Sequence, residues 1–310
     1  MPTKRTTPRP PINVLDIVPQ LARFARTTVR LHPRRGRVAA PDASKIGGLF
    51  LWPANEPWPA CGHIGPPQWW SDGLRPFPRP DEHGPLVPVL QLRRDDFPEM
   101  PFFPDTDLFQ LLWCPADHDD PVFVAKPFVF WRNARWVRKR LHTTPSPGAA
   151  EKTYLPKPCR LFPERVTEYP SMSDLPAQLR EKLEASDPED LQDMLDGAVV
   201  SDPETLYDWE LSVCPSTKVG GYVCWAQDAE VPACACGRPM EQLLTLADME
   251  FDGGTYRRWL SEEDRGVWDG PTEKRLAVQD APHWGLGGGF LYLFICRRCR
   301  KWPVQSVYQR

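Results

Sequence analysis

Prolines interrupt this chain so often that it has little room for long helices. There are 38 prolines among its 310 residues, and a proline inside a helix removes a backbone hydrogen bond and clashes with the preceding turn. Short apolar runs lie between the prolines, including Leu86–Leu92, Asp107–Trp113 and Phe290–Cys296. Runs of this length between turn residues are typical of strands. The sequence therefore predicts an α+β fold that is mostly β.

Two segments have helical patterns instead. Apolar residues spaced by three and four predict a helix within Ile12–Arg26, and residues 171–197 form a Leu- and Glu-rich helical segment. Because the apolar stripe of 171–197 is sparse, we expect it to be a solvated acidic insert. The further strand candidates are Thr28–His32, Leu49–Trp52, Val122–Val124, Pro127–Val137, Tyr222–Ala226, Gln242–Leu246 and Val304–Tyr308.

The two halves of the chain contain matching landmarks in the same order. SKIGG at 44–48 corresponds to TKVGG at 217–221, and each is followed by a tryptophan. Pro-Ala-Cys triplets, an apolar run (PVLQL or EQLLTL) and a strand ending in cysteine (LFQLLWC or FLYLFIC) then follow in both halves. This order predicts a tandem duplication. Each Gly-Gly pair predicts a left-handed backbone or a close backbone approach.

The duplication divides the chain into four parts. We expect a disordered tail over 1–11 and a first β-rich repeat with the N-terminal helix over 12–142. A linker with the acidic helical insert over 143–212 precedes a second β-rich repeat over 213–310.

Two cysteine pairs in the second half predict a structural zinc site. Cys234 and Cys236 are separated by one residue, and a glycine follows Cys236. The second pair, Cys296 and Cys299, begins sixty residues after Cys236. Paired cysteines on two tight turns supply the four ligands of tetrahedral Zn²⁺, as in a zinc ribbon. The alternative is a set of buried free thiols. A redox Cys-x-x-Cys motif is disfavoured, because no helix follows Cys296 to lower a thiol pKa.

The first half has a less complete ligand set at the corresponding positions. This set comprises Cys61, His63, Cys114, Asp117 and the adjacent His118. These residue types could form a second zinc site or a more open, reactive one. The alternative is a decayed repeat whose residues are ordinary core and loop positions. No third group at a recognisable spacing completes a catalytic triad, so no catalytic residue is predicted.

Tryptophan-proline pairs and the Gly-Gly segments suggest a surface for a partner. Aromatic residues among prolines can form a groove for an extended peptide, although burial would also explain them, and the lysines beside the glycines could simply be solvated. The residues predicted to contact a partner are Lys45, Gly47, Gly48, Trp52, Trp58, Lys218, Gly220, Gly221 and Trp225.

Charge and hydropathy narrow the partner class. The net charge is −3 and the isoelectric point is about 6.1, so we expect neither nucleic acid nor a membrane surface as a partner. No apolar stretch has the length of a membrane-spanning helix, and the N-terminus lacks the apolar core of a signal peptide. We therefore expect a cytoplasmic protein, with its oligomeric state left open.

The same motifs resemble two known families. The Gly-Gly heads, the following tryptophan, PVLQL and DLFQLLWC resemble the bacterial YwqG-like family of unknown function. The blocks TKVGGYVCWAQ, VPACACGRPMEQLLTL and FLYLFICRRC resemble the programmed cell death protein 2 family. Together these matches cover most of 40–115 and 213–300. The chain departs from the second family by having no additional zinc-finger insert and an incomplete cysteine set in its first half.

Both resemblances imply a duplicated β-rich fold with a binding role. The resemblance to the programmed cell death protein 2 family implies the role of a dedicated chaperone for a small-subunit ribosomal protein. We therefore expect a zinc-stabilised module that binds a protein or an extended peptide segment. The alternatives are a metal- or thiol-dependent enzyme using the Cys61 cluster, and an immunity-type binder of a toxin.

Overall fold

The computed structural model describes residues 4–61, 84–119, 122–147, 152–185 and 203–310. Two six-stranded antiparallel sheets dominate them, which confirms the mostly β fold. The strands are β1 (Arg26–Arg30), β2 (Arg34–Arg35), β3 (Lys45–Ile46), β4 (Val87–Arg93), β5 (Leu108–Asp119), β6 (Val122–Arg132), β7 (Cys159–Arg160), β8 (Glu164–Glu168), β9 (Lys218–Gly220), β10 (Glu241–Ala247), β11 (Phe290–Ile295) and β12 (Val304–Gln309).

Each sheet takes its main strands from one half of the chain. The N-sheet has the order β2-β7-β3-β4-β5-β6, and the C-sheet has the order β12-β11-β10-β9-β1-β8. In both sheets the second main strand contains an irregularity at a similar place, between Pro88 and Leu90 in β4 and between Gln242 and Leu244 in β10. The two sheets therefore share one strand layout.

A two-stranded ribbon joins the sheets. β1 pairs with β8 in the C-sheet, with Arg30 opposite Glu164, and β2 pairs with β7 in the N-sheet, with Arg34 opposite Arg160. The register is the same in both sheets, so the ribbon passes from one to the other without a slip. His32 lies at the crossing with φ 44°, a left-handed conformation that turns the strand between the sheets.

The largest core lies between the two sheets. Side chains from both contribute to one buried apolar cluster that includes Val29, Leu111, Trp113, Leu244 and Leu293. Smaller clusters cover the outer faces: Trp225 and Met240 lie over β11, and Phe50 and Trp52 lie over β5.

The helices are short and pack beside the sheets. The α-helices are α1 (Val14–Ile17), α2 (Ala177–Glu184), α3 (Pro203–Leu206), α4 (Tyr256–Trp259) and α5 (Thr272–Gln279). Segments of 3₁₀ helix lie at Pro19–Phe24, Ala134–Trp136, Lys152–Tyr154, Met172–Asp174 and Glu262–Val267. A π-helical segment follows α3 at Tyr207–Leu211. The single N-terminal helix predicted within Ile12–Arg26 is therefore a helical turn and a 3₁₀ turn, separated by Val18 before Pro19. α4 and α5 were not predicted.

The prediction that residues 171–197 form a solvated insert is wrong for the described part of this segment. Leu175, Leu179 and Leu183 are buried in a second apolar core with residues of the N-terminal segment such as Val18 and Leu21. A sparse stripe is sufficient here because only one narrow face of α2 contacts that core. The predicted continuation over 186–197 lies outside the described residues.

Three other expectations differ from the fold. Residues Leu49–Trp52 and Tyr222–Ala226 form no strand, although Trp52 and Val223 are buried. Residues 4–11 of the expected disordered tail are docked: the backbone N–H of Thr7 donates to Glu164, and Thr6 bonds to Glu263. Apolar content alone does not distinguish a strand from a buried loop.

Candidate metal centres and binding groove

Two turns bring Cys234, Cys236, Cys296 and Cys299 together on the outer face of the C-sheet. In the first turn, the N–H of Gly237 donates to the carbonyl of Cys234 at 2.8 Å, and Gly237 has φ 81°, which glycine adopts without strain. In the second turn, the N–H of Trp302 donates to the carbonyl of Cys299 at 3.0 Å, and that of Cys296 donates to Pro303 at 3.0 Å.

The four sulfur atoms have the spacing of a tetrahedral metal site. All four lie within 4.8 Å of one another, with Cys234 3.6 Å from Cys299 and Cys236 3.7 Å from Cys296. Four sulfurs about 2.3 Å from a central Zn²⁺ would be about 3.8 Å apart. A disulfide requires about 2.05 Å, and none of the nine cysteines, all within the described residues, forms one. The donor set therefore fits zinc.

Within the cluster, backbone amides favour the thiolate form of Cys296, whereas hydrogen bonds with neighbouring thiols raise the pKa of Cys299 to about 12. Burial raises the pKa of Cys296, but hydrogen bonds from the backbone N–H groups of Cys299 and Arg298 outweigh it and hold the pKa at about 7. Arg298 and Arg300 are near neighbours on the same turn. They partly offset the two surplus negative charges that four thiolates give a Zn²⁺ site.

A second group of possible ligands lies on the outer face of the N-sheet. Cys61, Cys114 and His118 are all buried, and their donor atoms lie within 4.8 Å of one another. Of the other two predicted ligands, His63 lies outside the described residues. Asp117 pairs with Ala125 through the backbone, and its side chain is not among those described.

The environment of Cys114 disfavours a free nucleophilic thiol. Its hydrogen bond with Cys61 and its burial raise the pKa of the Cys114 thiol well above the ordinary value. A thiol nucleophile acts as the thiolate, so catalytic cysteines have lowered pKa values. As a free thiol, Cys114 therefore lacks the electrostatic setting of a catalytic nucleophile.

The residues predicted to contact a partner have internal partners instead. Lys218 is fully buried and pairs with Glu168 at 2.8 Å, and buried Lys45 donates to the carbonyls of Ala40 and Pro41. Gly47, Gly48, Gly220 and Gly221 all have positive φ, which confirms the conformation expected of the Gly-Gly pairs. Partner contact by any of these residues stays a prediction.

The three predicted tryptophans pack onto the outer faces of the sheets. Trp52 is buried, lies 4.9 Å from Trp58 between ring centroids and has the guanidinium of Arg132 over its ring. Trp225 is half-buried and stacks on Phe294. These rings cover the faces that contain the cysteine clusters.

A groove of about 480 Å³ lies where the edge strands of the two sheets, β6 and β12, come together. β6 borders it on one side, and β12 and the preceding turn border it on the other. Its apolar lining includes Phe128, Trp131, Trp302 and Val304, and Lys126 and Lys301 also line it. Trp131 and Trp302 meet edge to face, with ring centroids 6.3 Å apart. Trp302–Pro303 is one of the tryptophan-proline pairs of the sequence, but none of the residues that line the groove was among the predicted partner contacts. The sequence did not indicate the groove, because pairing order decides which strands become edges.

Comparisons with known proteins add no family. No protein-family model matches the chain, and no curated protein is significantly similar to it. Within the described residues, none of the helices combines the length and apolar character required to span a membrane.

Proposed function

We propose that this protein is a zinc-stabilised binding module that takes an extended, acidic segment of a partner protein into the groove between β6 and β12. One observation carries the proposal: two sheet edges face the same aromatic-lined groove. The resemblance to the programmed cell death protein 2 family supports a chaperone-like role of this kind. An immunity-type binder would use the same surface and differ only in its partner.

The edge strands offer backbone groups to such a segment. Among the described residues, β6 pairs only with β5 and β12 only with β11. Antiparallel pairs alternate between bonded and non-bonded residues. Since Cys296 donates to Pro303, Val304 and Ser306 direct their backbone groups away from β11. An added strand would satisfy them, as in β-augmentation.

Charge favours an acidic partner segment. Lys126 and Lys301 line the groove, and exposed Arg298 and Arg300 are on the turn that leads into it. Complementary charge speeds encounter and selects among partners. An extended segment with acidic residues beside apolar ones fits both the lysines and the tryptophans.

The zinc site has a structural role in this proposal. The turn from Cys296 to Cys299 leads directly into Lys301, Trp302 and Val304 of the groove. Trp302 has φ 46°, a conformation uncommon for this residue type, and its N–H bonds to Cys299. Zinc on the four thiolates would hold this turn and one wall of the groove.

The proposal includes a tandem duplication of the β-rich unit. It is supported by the shared strand order, by the similar irregularities in β4 and β10 and by the aromatic and cysteine clusters on both outer faces. In this arrangement β1 of the first repeat joins the C-sheet, and the linker strand β7 joins the N-sheet.

A peptide-display experiment tests the binding function. A random decapeptide library is selected on the zinc-loaded protein, and the enriched peptides are then measured against Ser306→Pro. Proline at this position removes an outward N–H without removing a bond to β11. We expect enrichment of acidic peptides with apolar residues, and at least tenfold weaker binding by Ser306→Pro.

Two controls separate strand addition from general stickiness. Ser306→Ala keeps the backbone N–H and should bind like the original protein. Replacing Lys126 and Lys301 with glutamate should abolish the acidic preference, whereas Lys274→Glu on α5 should not. Failure to enrich any peptide, or equal binding by Ser306→Pro and Ser306→Ala, would count against the proposal.

A further inference from the structure

We propose that Cys61, Cys114 and His118 form a second metal site, which binds a divalent ion of the zinc type on the N-sheet. This site is distinct from the four-cysteine cluster and does not depend on the peptide groove. It has three protein ligands, two thiolates and one imidazole, and one coordination position for a further ligand. Such mixed sulfur and nitrogen sets suit zinc.

The donor atoms have a compatible spacing. All three lie within 4.8 Å of one another, and the sulfur of Cys61 is 3.9 Å from Nε2 of His118. Zinc bonds of about 2.3 Å to sulfur and about 2.0–2.1 Å to nitrogen place tetrahedral ligands about 3.6 Å apart. The pair of Cys61 and His118 is therefore a few tenths of an ångström from this spacing, and the other two pairs are within about 1.2 Å of it.

An irregular stretch of β5 brings His118 to Cys114. In a regular strand, residues four apart are separated by about 13 Å, which is too far for both to bind one ion closely. The ladder between β5 and β6 shifts register between Trp113 and Asp117 and again at His118. Bulges of this kind redirect side chains and are frequent beside functional sites.

The two clusters occupy corresponding positions on the two sheets. Cys61 follows the isolated bridge Ala60–Pro85, and Cys234 follows the isolated bridge Ala233–Pro239. Cys114 follows the last regular pair at Trp113 in β5, and Cys296 directly follows the end of β11. The same two backbone positions thus direct a cysteine to a common point on each outer face.

The two sites differ in burial and in the net charge that they would carry with a divalent ion bound. Cys61, Cys114 and His118 are 4%, 8% and 4% exposed. Two thiolates, a neutral imidazole and one divalent cation carry no net charge, which suits a buried site. The four-cysteine site would carry two negative charges, and it lies where Cys236 is exposed and Arg298 and Arg300 are near. Binding at the N-sheet site releases the two thiol protons to solvent.

Metal content measures the number of sites. Protein purified without an affinity metal is analysed for zinc by mass spectrometry, together with Cys61→Ser, His118→Gln and the double variant Cys234→Ser/Cys299→Ser. We expect two zinc ions per chain in the original protein and one in each of these variants. Cys159→Ser is the matched control, because Cys159 is buried but belongs to neither cluster, and it should retain two.

X-ray absorption keeps the test decisive if Cys61→Ser or His118→Gln fails to fold. In the double variant Cys234→Ser/Cys299→Ser, the remaining zinc should have a mixed shell of sulfur and nitrogen ligands. One zinc per chain in the original protein, unaffected by Cys61→Ser, would overturn the proposal. A double variant that binds no zinc while remaining folded would also overturn it.

Discussion

At the residue scale, Gly221 lies where the fold has no room for a side chain. It has φ 75°, and a Cβ there would overlap the carboxylate of Glu168. That carboxylate accepts two hydrogen bonds from Lys218, at 2.8 and 3.1 Å, and another from the backbone N–H of Cys214. Gly48 has a similar φ of 72°, but its Cβ would meet nothing within 4 Å.

The two glycines should therefore respond differently to alanine. Gly48→Ala should cost only the left-handed strain of about 1–2 kcal/mol. Gly221→Ala should cost more, by roughly 3–5 kcal/mol, because it also displaces one partner of a buried ion pair. Urea unfolding of both variants measures the difference, and equal losses would show that Glu168 moves aside freely.

A second residue-scale feature is the buried pair of His32 and Glu164. Nε2 of His32 lies 2.8 Å from the carboxylate. Burial, with the nearby charges of Arg30 and Arg34, lowers the pKa of His32 to about 3. Burial raises the pKa of Glu164, but hydrogen bonds from His32 and Thr7 outweigh it and hold the pKa at about 2. The folded protein therefore keeps a neutral histidine beside a charged carboxylate.

Acid should destabilise the protein partly through His32. An exposed histidine binds a proton below pH 6.5 and the folded one only near pH 3, so the unfolded state gains the proton first. Stability should fall as the pH drops through this window, by up to about 1.4 kcal/mol per pH unit. His32→Asn tolerates the positive φ and removes this titration. Urea midpoints from pH 7 to 4 should fall less steeply for it, and identical slopes would contradict the assignment.

At the element scale, α2 shows how a polar helix can be integral to the fold. Leu179 and Leu183 are 4% and 3% exposed and belong to the core that also contains Val18 and Leu21. The other side of α2 is exposed and charged. Tertiary contact with the N-terminal segment therefore stabilises an eight-residue helix that would be marginal in isolation.

Truncating a buried leucine tests this packing. Leu179→Ala should lower the free energy of unfolding by about 2–5 kcal/mol, because it removes buried apolar atoms and leaves a cavity. Glu181→Ala, on the exposed side of the same helix, should change it by less than about 0.5 kcal/mol. Thermal and urea unfolding measure both variants. A similar, small effect of the two would restore the interpretation of a solvated insert.

At the scale of the whole molecule, two sheets share one core and are connected by the β1–β2 and β7–β8 ribbon. The groove lies at the other edges, β6 and β12, where it borders the four-cysteine turn. A metal at that turn is therefore positioned to affect one wall of the groove more than the rest of the molecule.

Metal removal should have this local effect. Cys236→Ser, which removes zinc from the four-cysteine site alone, should accelerate amide hydrogen exchange over 296–306, with little change in β4 and β10. The acceleration should approach about 100-fold when free zinc had been about 100 times its Kd. Chelation of zinc from the original protein should accelerate the same amides. Uniform exchange across both sheets would show that the site supports the whole fold equally.

Local patterns in the sequence determined much of the secondary structure and the grouping of four cysteines. β4, β5, β10, β11 and β12 all lie where short apolar runs between turn residues predicted strands. The four cysteines were identifiable because metal ligation requires particular residue types on tight turns. These properties depend on neighbouring residues, so a single sequence contains enough information to recognise them.

Only the tertiary structure decided the features that depend on distant contacts. The pairing of β1 with β9, the groove between β6 and β12 and the approach of His118 to Cys61 all join segments far apart in the chain. Burial of Leu179 depends likewise on a partner segment over 150 residues away. The pattern of side chains along the sequence indicates which face of a helix or strand is apolar. Which other segment packs against that face depends on how the complete chain folds.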